Sequence, residues 1–152
     1  MKKWIFLALM VSHCAFAKWE GYFPAKLSAG VAIASRAGHG GFVVFKEGYA
    51  FRSTVIYTGK IRPTSVAAQQ VLSNFFGINR DFPLFDKKYG NEIEVTEEGR
   101  AYWMPVSFDV LDEMRKKLVK GGIFTAYVRL LGESGKRWIF LVDGFSTASR
   151  KP

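Results

Sequence analysis

The strongest constraint on the fold is a pair of apolar runs near the C-terminus, separated by a short polar turn. Residues 123–131 and 137–142 are rich in β-branched and aromatic side chains, and the turn at 133–136 contains Gly135. Two such runs around a glycine-containing turn predict a β-hairpin. Both runs contain stretches that are apolar on both faces, which is typical of strands in the centre of a sheet or in a closed barrel.

Two more strand pairs and two amphipathic helices are predicted along the chain. The predicted strands are 42–45, 49–57, 92–95 and 100–106, and the predicted helices are 65–76 and 107–120. The element order is therefore ββα-ββα-ββ, and hairpins joined by helices favour an α+β class with a small antiparallel sheet. The last five elements are two strands, a helix and two more strands. This is the order of the later part of an OB-type barrel, so a partly open barrel is the alternative arrangement.

Two segments have no clear periodicity. Residues 18–40 combine aromatic residues with a run of Ala, Gly and Ser, and we expect them to form an irregular arm, with a strand as the alternative for the small-residue run. Residues 77–91 predict a long loop, and loops of this length are often functional or packed by their own side chains.

The N-terminus has the pattern of a bacterial export signal. Lys2 and Lys3 precede an apolar run that is too short for a membrane anchor, and Ala15-Phe16-Ala17 matches the A-x-A cleavage pattern. The sequence predicts a cleaved signal peptide at 1–17 and a single mature domain at 18–152, located in the periplasm or secreted. The mature chain has no predicted transmembrane segment.

Cys14 is the single cysteine of the chain. Lipid attachment at Cys14 is disfavoured, because His13 stands where a small residue normally precedes a lipidated cysteine. Cleavage after Ala17 removes the thiol, which excludes disulfides, thiolate nucleophiles and thiolate zinc sites in the mature domain. A domain of this size can be stable through its core alone.

The positive charge is concentrated in the first half of the mature chain. The precursor has a formal net charge of +9, and residues 18–88 hold ten basic and four acidic residues. This imbalance favours an acidic partner, such as nucleic acid, lipid headgroups or an acidic envelope polymer. A basic exported protein kept soluble by its charge is the alternative interpretation.

The last third of the chain resembles small exported bacterial proteins of unknown function. The matching residues are Tyr102-Trp103-Met104-Pro105-Val106, Lys120-Gly121-Gly122, Tyr127-Val128 and Trp138-Ile139-Phe140-Leu141-Val142-Asp143-Gly144-Phe145. The resemblance implies an envelope location and a compact barrel-like unit, and it implies no activity. Asp143-Gly144 stands where that pattern has Asn-Glu.

The sequence predicts no catalytic constellation, no metal site and no cofactor. His39 is the one histidine left after cleavage, and its glycine neighbours precede a strand rather than the helix that a phosphate loop requires. Glu92 and Glu94 fall on one face of their strand, and a solvated face is the simplest interpretation. A hydrolase that uses Glu92, Glu94 and Asp143 is the alternative, because paired carboxylates can cleave a glycosidic bond.

An aromatic and basic group is the best candidate for binding. Aromatic faces beside arginine stack on bases or sugar rings, although aromatic residues also dominate cores. The candidate residues for ligand or partner binding are Tyr102, Trp103, Tyr127, Arg129, Trp138, Arg80, Lys87 and Lys88. We therefore expect a non-catalytic binding or accessory module for an envelope protein or an anionic polymer, with an envelope hydrolase and nucleic-acid binding as alternatives.

Overall fold

The computed structural model describes residues 19–36, 41–77 and 88–147, which form six strands and three helices. The elements are β1 (Phe23–Pro24), α1 (Leu27–Ser35), β2 (Phe42–Pro63), α2 (Val66–Phe76), β3 (Asn91–Glu97), β4 (Arg100–Val106), α3 (Phe108–Lys117), β5 (Ile123–Ser134) and β6 (Arg137–Thr147). The α+β class is confirmed. The predicted signal peptide, Cys14, His39, Arg80 and Lys87 lie outside the described residues.

Five strands, β2 to β6, pair in a closed circuit that we call the strand ring. The sheet order is β1-β2-β3-β4-β6-β5, and β2 pairs with β5 as well as with β3. Most neighbours are antiparallel, but β1 lies parallel to β2, and β4 meets β6 in parallel at Val106 and Val142. The sheet is therefore mixed rather than antiparallel throughout.

The predicted hairpin in residues 42–57 is wrong, because this segment belongs to one long strand. Phe42–Val44 and Tyr49–Ile56 both pair with β5, and the ladder shifts register between the two stretches. Gly48 lies in that irregularity with a φ of 73°. The glycine therefore marks a bulge, which bends a strand without reversing it. From β3 to β6 the element order is the predicted one.

The predicted irregular arm contains a helix. Residues 27–35 form α1, whose first two backbone N–H groups, of Leu27 and Ser28, donate to the Glu97 carboxylate at 3.0 and 3.4 Å. Gly30 allows close packing, because a Cβ there would lie 2.7 Å from Phe51 Cζ. Both interactions are with residues distant in sequence, so the local sequence does not predict this helix.

Two apolar clusters hold the molecule together. The larger one fills the interior of the strand ring, with Phe124, Phe140, Ile93 and Met104 among its buried members. The second joins α2 to the outer side of β5 and β6. Among the described residues, no helix is long and apolar enough to cross a membrane.

Candidate functional site

Among the described residues, the predicted aromatic and basic side chains do not share one face, although Tyr127 and Arg129 lie on the same side of β5, beside Tyr22. Tyr102 and Trp138 pack against the interior cluster. Tyr127 is buried beneath Trp19, whose ring stacks on it with the centroids 4.3 Å apart. Lys88 is exposed, with its Nζ 5.4 Å from the ring centre of Tyr89. Trp103 is left as a candidate on the outer side of the ring, away from the residues that fill it.

Trp103 forms a cation–π pair with an arginine that the sequence analysis did not identify. Arg62 Cζ lies 4.0 Å from the centre of the Trp103 ring, and 39% of the Arg62 side chain is exposed. The arginine is at the end of β2, and Trp103 is in β4 opposite Glu94 of β3. The pair therefore spans three neighbouring strands on the outer side of the sheet.

Glu92 is fully buried behind this pair, so the interpretation of a solvated glutamate face is wrong. Its carboxylate accepts hydrogen bonds from Arg62 Nε at 2.8 Å and Arg137 Nη2 at 3.0 Å. Ser65, the N-cap of α2, donates from its Oγ at 3.0 Å. Arg137 also donates to the Trp103 carbonyl oxygen at 2.8 Å. The cluster thus fixes the start of α2 and the start of β6 beside Trp103.

Glu94 is also buried, and Lys60 lies over it. Lys60 Nζ is 3.0 Å from Glu94 Oε1. The hydrogen bond from Lys60 holds the pKa of Glu94 below its ordinary value. A general acid in glycoside cleavage needs a raised carboxyl pKa, and the pKa of Glu94 is shifted in the opposite direction.

Asp143, the third carboxylate of the hydrolase alternative, connects Arg129 of β5 with Tyr22 of the N-terminal segment. Arg129 contacts it through two nitrogens at 2.6 and 2.7 Å, and the Tyr22 hydroxyl donates to it at 2.7 Å. Burial and the bond to Asp143 raise the pKa of Tyr22, so its hydroxyl stays protonated as a donor. Gly144 makes room for Trp19, since a Cβ there would overlap the indole ring.

Two grooves lie away from the Arg62–Trp103 pair. A groove of about 510 Å³ beside Trp19 is lined by Asp109, Glu113 and Asp143, and another of about 600 Å³ runs along β2 past Glu97. Neither includes Arg62, Trp103 or Arg137. Within residues 19–36, 41–77 and 88–147, no group of three His, Cys, Asp or Glu side chains is placed to hold a metal ion.

The charge spacing of Lys60 and Arg62 could have pointed to their partners Glu94 and Glu92 from the sequence. Lys60 and Arg62 have the same spacing of two as Glu94 and Glu92, and such complementary charges on neighbouring strands favour pairing. No family model and no curated protein matches the chain.

Proposed function

We propose that this protein is an exported, non-catalytic binding module of the bacterial envelope, and that it binds an anionic polymer through the outer face of β3 and β4. Export is inferred from the charged, apolar and A-x-A pattern of residues 1–17. A protein partner is the other occupant considered for the same face, and the experiment below separates the two.

We infer that the strand ring is an OB-type barrel. Starting from β2, the pairing runs through β3, β4, β6 and β5 and back to β2, with α3 between the third and fourth ring strands along the chain. OB folds bind oligonucleotides and oligosaccharides on their second and third strands and at the loops joining strands 1–2 and 4–5. In this chain those regions correspond to β3, β4, the connection 64–90 and the turn between β5 and β6.

The observation that carries the proposal is the Arg62–Trp103 pair on that face. A guanidinium stacked on an indole is a fixed cationic plane, which suits planar or ring-containing anionic groups. Arg137, from the start of β6, brings a second cation to the same place. Because the pair lines neither of these two grooves, an extended polymer fits this surface better than an enclosed small molecule does.

The placement of the carboxylates supports binding over hydrolysis. Glu92, Glu94 and Asp143 are each within 3.0 Å of a cationic nitrogen. For Glu94 the contact with Lys60 lowers the pKa and favours the charged form, whereas acid catalysis requires a proton-carrying carboxyl.

Binding of polygalacturonate by protein recovered from the cell envelope tests the proposal. The recovered chain should begin at Lys18 by intact mass, and it should bind polygalacturonate more weakly as salt screens the charges. Trp103→Leu is expected to weaken binding about fivefold, since it removes the stacking partner of Arg62. The same substitution leaves the ion pairs of Glu92 in place.

The control is Lys46→Gln, which removes an exposed cation elsewhere on β2 and should leave the affinity nearly unchanged. Equal affinity of wild type and Trp103→Leu, or binding of neutral dextran as strong as that of polygalacturonate, contradicts the proposal. Tighter binding of a single-stranded oligothymidylate would favour the nucleic-acid alternative. A defined protein complex recovered by cross-linking, and lost in Trp103→Leu, would favour a protein partner.

A further inference from the structure

Three aliphatic side chains are exposed together at one end of the β2–β5 pairing. Val119, Ile123 and Ile56 are 75%, 63% and 41% exposed. Ile56 and Ile123 are direct cross-strand partners, and Val119 belongs to the tight turn that leads into β5. Single exposed apolar residues are common on soluble proteins, but adjacent ones mark interaction surfaces.

The backbone that carries these side chains is fixed to the sheet. Gly122 N–H donates to the Val119 carbonyl at 2.9 Å and closes the turn. Gly121 N–H donates to the Tyr57 carbonyl oxygen at 2.7 Å, and Tyr57 N–H donates to the Gly122 carbonyl oxygen at 2.9 Å. Gly121 has a φ of 82°, which suits glycine at this position. The aliphatic side chains are thus presented on ordered backbone.

Lysines border the aliphatic residues. The Lys120 side chain lies against Gly59, where an added Cβ would be 3.2 Å from Lys120 Cβ, and Lys60 follows directly. Both lysines are exposed. Lys60 is paired with Glu94, whereas Lys120 forms no ion pair with any carboxylate of the described residues. We call Ile56, Lys60, Val119, Lys120 and Ile123 the aliphatic–lysine patch.

We propose that the aliphatic–lysine patch docks the protein on an anionic lipid bilayer. Aliphatic side chains gain free energy in the boundary between headgroups and acyl chains, and neighbouring lysines are attracted by anionic headgroups. Protein interfaces are instead enriched in Trp, Tyr and Arg and depleted in Lys. The combination of Val, Ile and Lys therefore favours a lipid surface over a protein partner.

Vesicle co-sedimentation of the protein recovered from the cell envelope tests this surface. Wild type should sediment with vesicles of phosphatidylcholine and phosphatidylglycerol in equal parts, and weakly with phosphatidylcholine alone. The double variant Val119→Ser/Ile123→Ser should bind the anionic vesicles at least tenfold more weakly. Lys120→Gln should weaken binding about fivefold.

Val66→Ser is the matched control, because Val66 is 64% exposed at the start of α2, outside the patch. All variants should keep the wild-type Tm, since the substituted side chains are exposed.

Equal vesicle binding by wild type and the double variant would overturn the proposal, and so would loss of binding in the lysine variant alone. Recovery of a protein complex through Val119 and Ile123 without vesicle binding would also overturn it. None of the substituted residues Val119, Lys120 and Ile123 belongs to the candidate site around Arg62, Glu92, Glu94 and Trp103, so failure here and failure of polymer binding are separate results.

Discussion

Replacing Glu92 with glutamine is expected to lower the free energy of unfolding by about 3 kcal/mol. The carboxylate is fully buried and accepts hydrogen bonds from Arg62, Arg137 and Ser65. Removing one partner of a buried ion pair leaves the other charges uncompensated. The cost falls at the low end of the usual range because the two arginines are partly exposed and can regain water. Urea denaturation of both proteins measures the difference.

The control for this substitution is Glu98→Gln. Glu98 pairs with Lys26, and both side chains are more than half exposed, so its loss should cost about 1 kcal/mol at most. If Glu92→Gln were as stable as Glu98→Gln, the cluster would not be holding α2 and the start of β6. Loss of an enzymatic activity with full stability would instead favour the hydrolase alternative.

Replacing Gly132 with alanine is expected to cost about 3 kcal/mol or more, at the top of the range for overpacking. Gly132 pairs with Val44 of β2 on one side and Ile139 of β6 on the other, at irregularities in both ladders. A Cβ on Gly132 would overlap the Val43 carbonyl oxygen. Backbone has to move to relieve that contact, so the β2–β5 pairing that closes the ring is weakened. The fall in Tm measures this effect.

Gly21→Ala provides the comparison. A Cβ added at Gly21 meets no atom within 4 Å, so the substitution should change stability by about 0.5 kcal/mol or less. Hydrogen exchange adds a local measurement for Gly132→Ala, because amides in the β2–β5 ladder should lose protection first. A variant with wild-type Tm and unchanged protection would contradict the ring closure described above.

Periodicity predicted the elements whose stability is local. The helix at 65–76 has a serine cap and an apolar stripe, and the structure has α2 at Val66–Phe76. The β5–β6 hairpin follows from two apolar runs and a glycine turn. Helix α1 could not be predicted in this way, because its N-terminal amides are satisfied by Glu97, which is 70 residues away from Leu27.

The candidate site was harder to predict because it depends on strand register. Alternation placed Glu92 and Glu94 on one face but did not show what covers that face. Glu92 is covered because Arg62 is its cross-strand partner and because Arg137 of β6 donates a hydrogen bond to its carboxylate. Trp103 was identified from its residue type alone, and its stacking partner became visible only in the folded chain.

Carboxylates with little solvent exposure have a common role across the molecule. Glu92 fixes the start of α2, Glu97 accepts from the first amides of α1, and Asp143 holds Tyr22 of the N-terminal segment. Anions are favoured at helix N-termini, where backbone N–H groups lack partners. Glu92 and Asp143, two of the three carboxylates that suggested chemistry in the sequence, therefore attach outer elements to the strand ring, whereas Glu94 pairs with Lys60 of β2.

A nuclear magnetic resonance titration of the labelled protein with polygalacturonate tests the binding proposal most directly. The largest shifts are expected at the Trp103 indole N–H and at the amides of Arg62 and Arg137, with few changes along β2 near Glu97. Shifts concentrated in the grooves beside Trp19 or Glu97, or no shifts at saturating polymer, would contradict it.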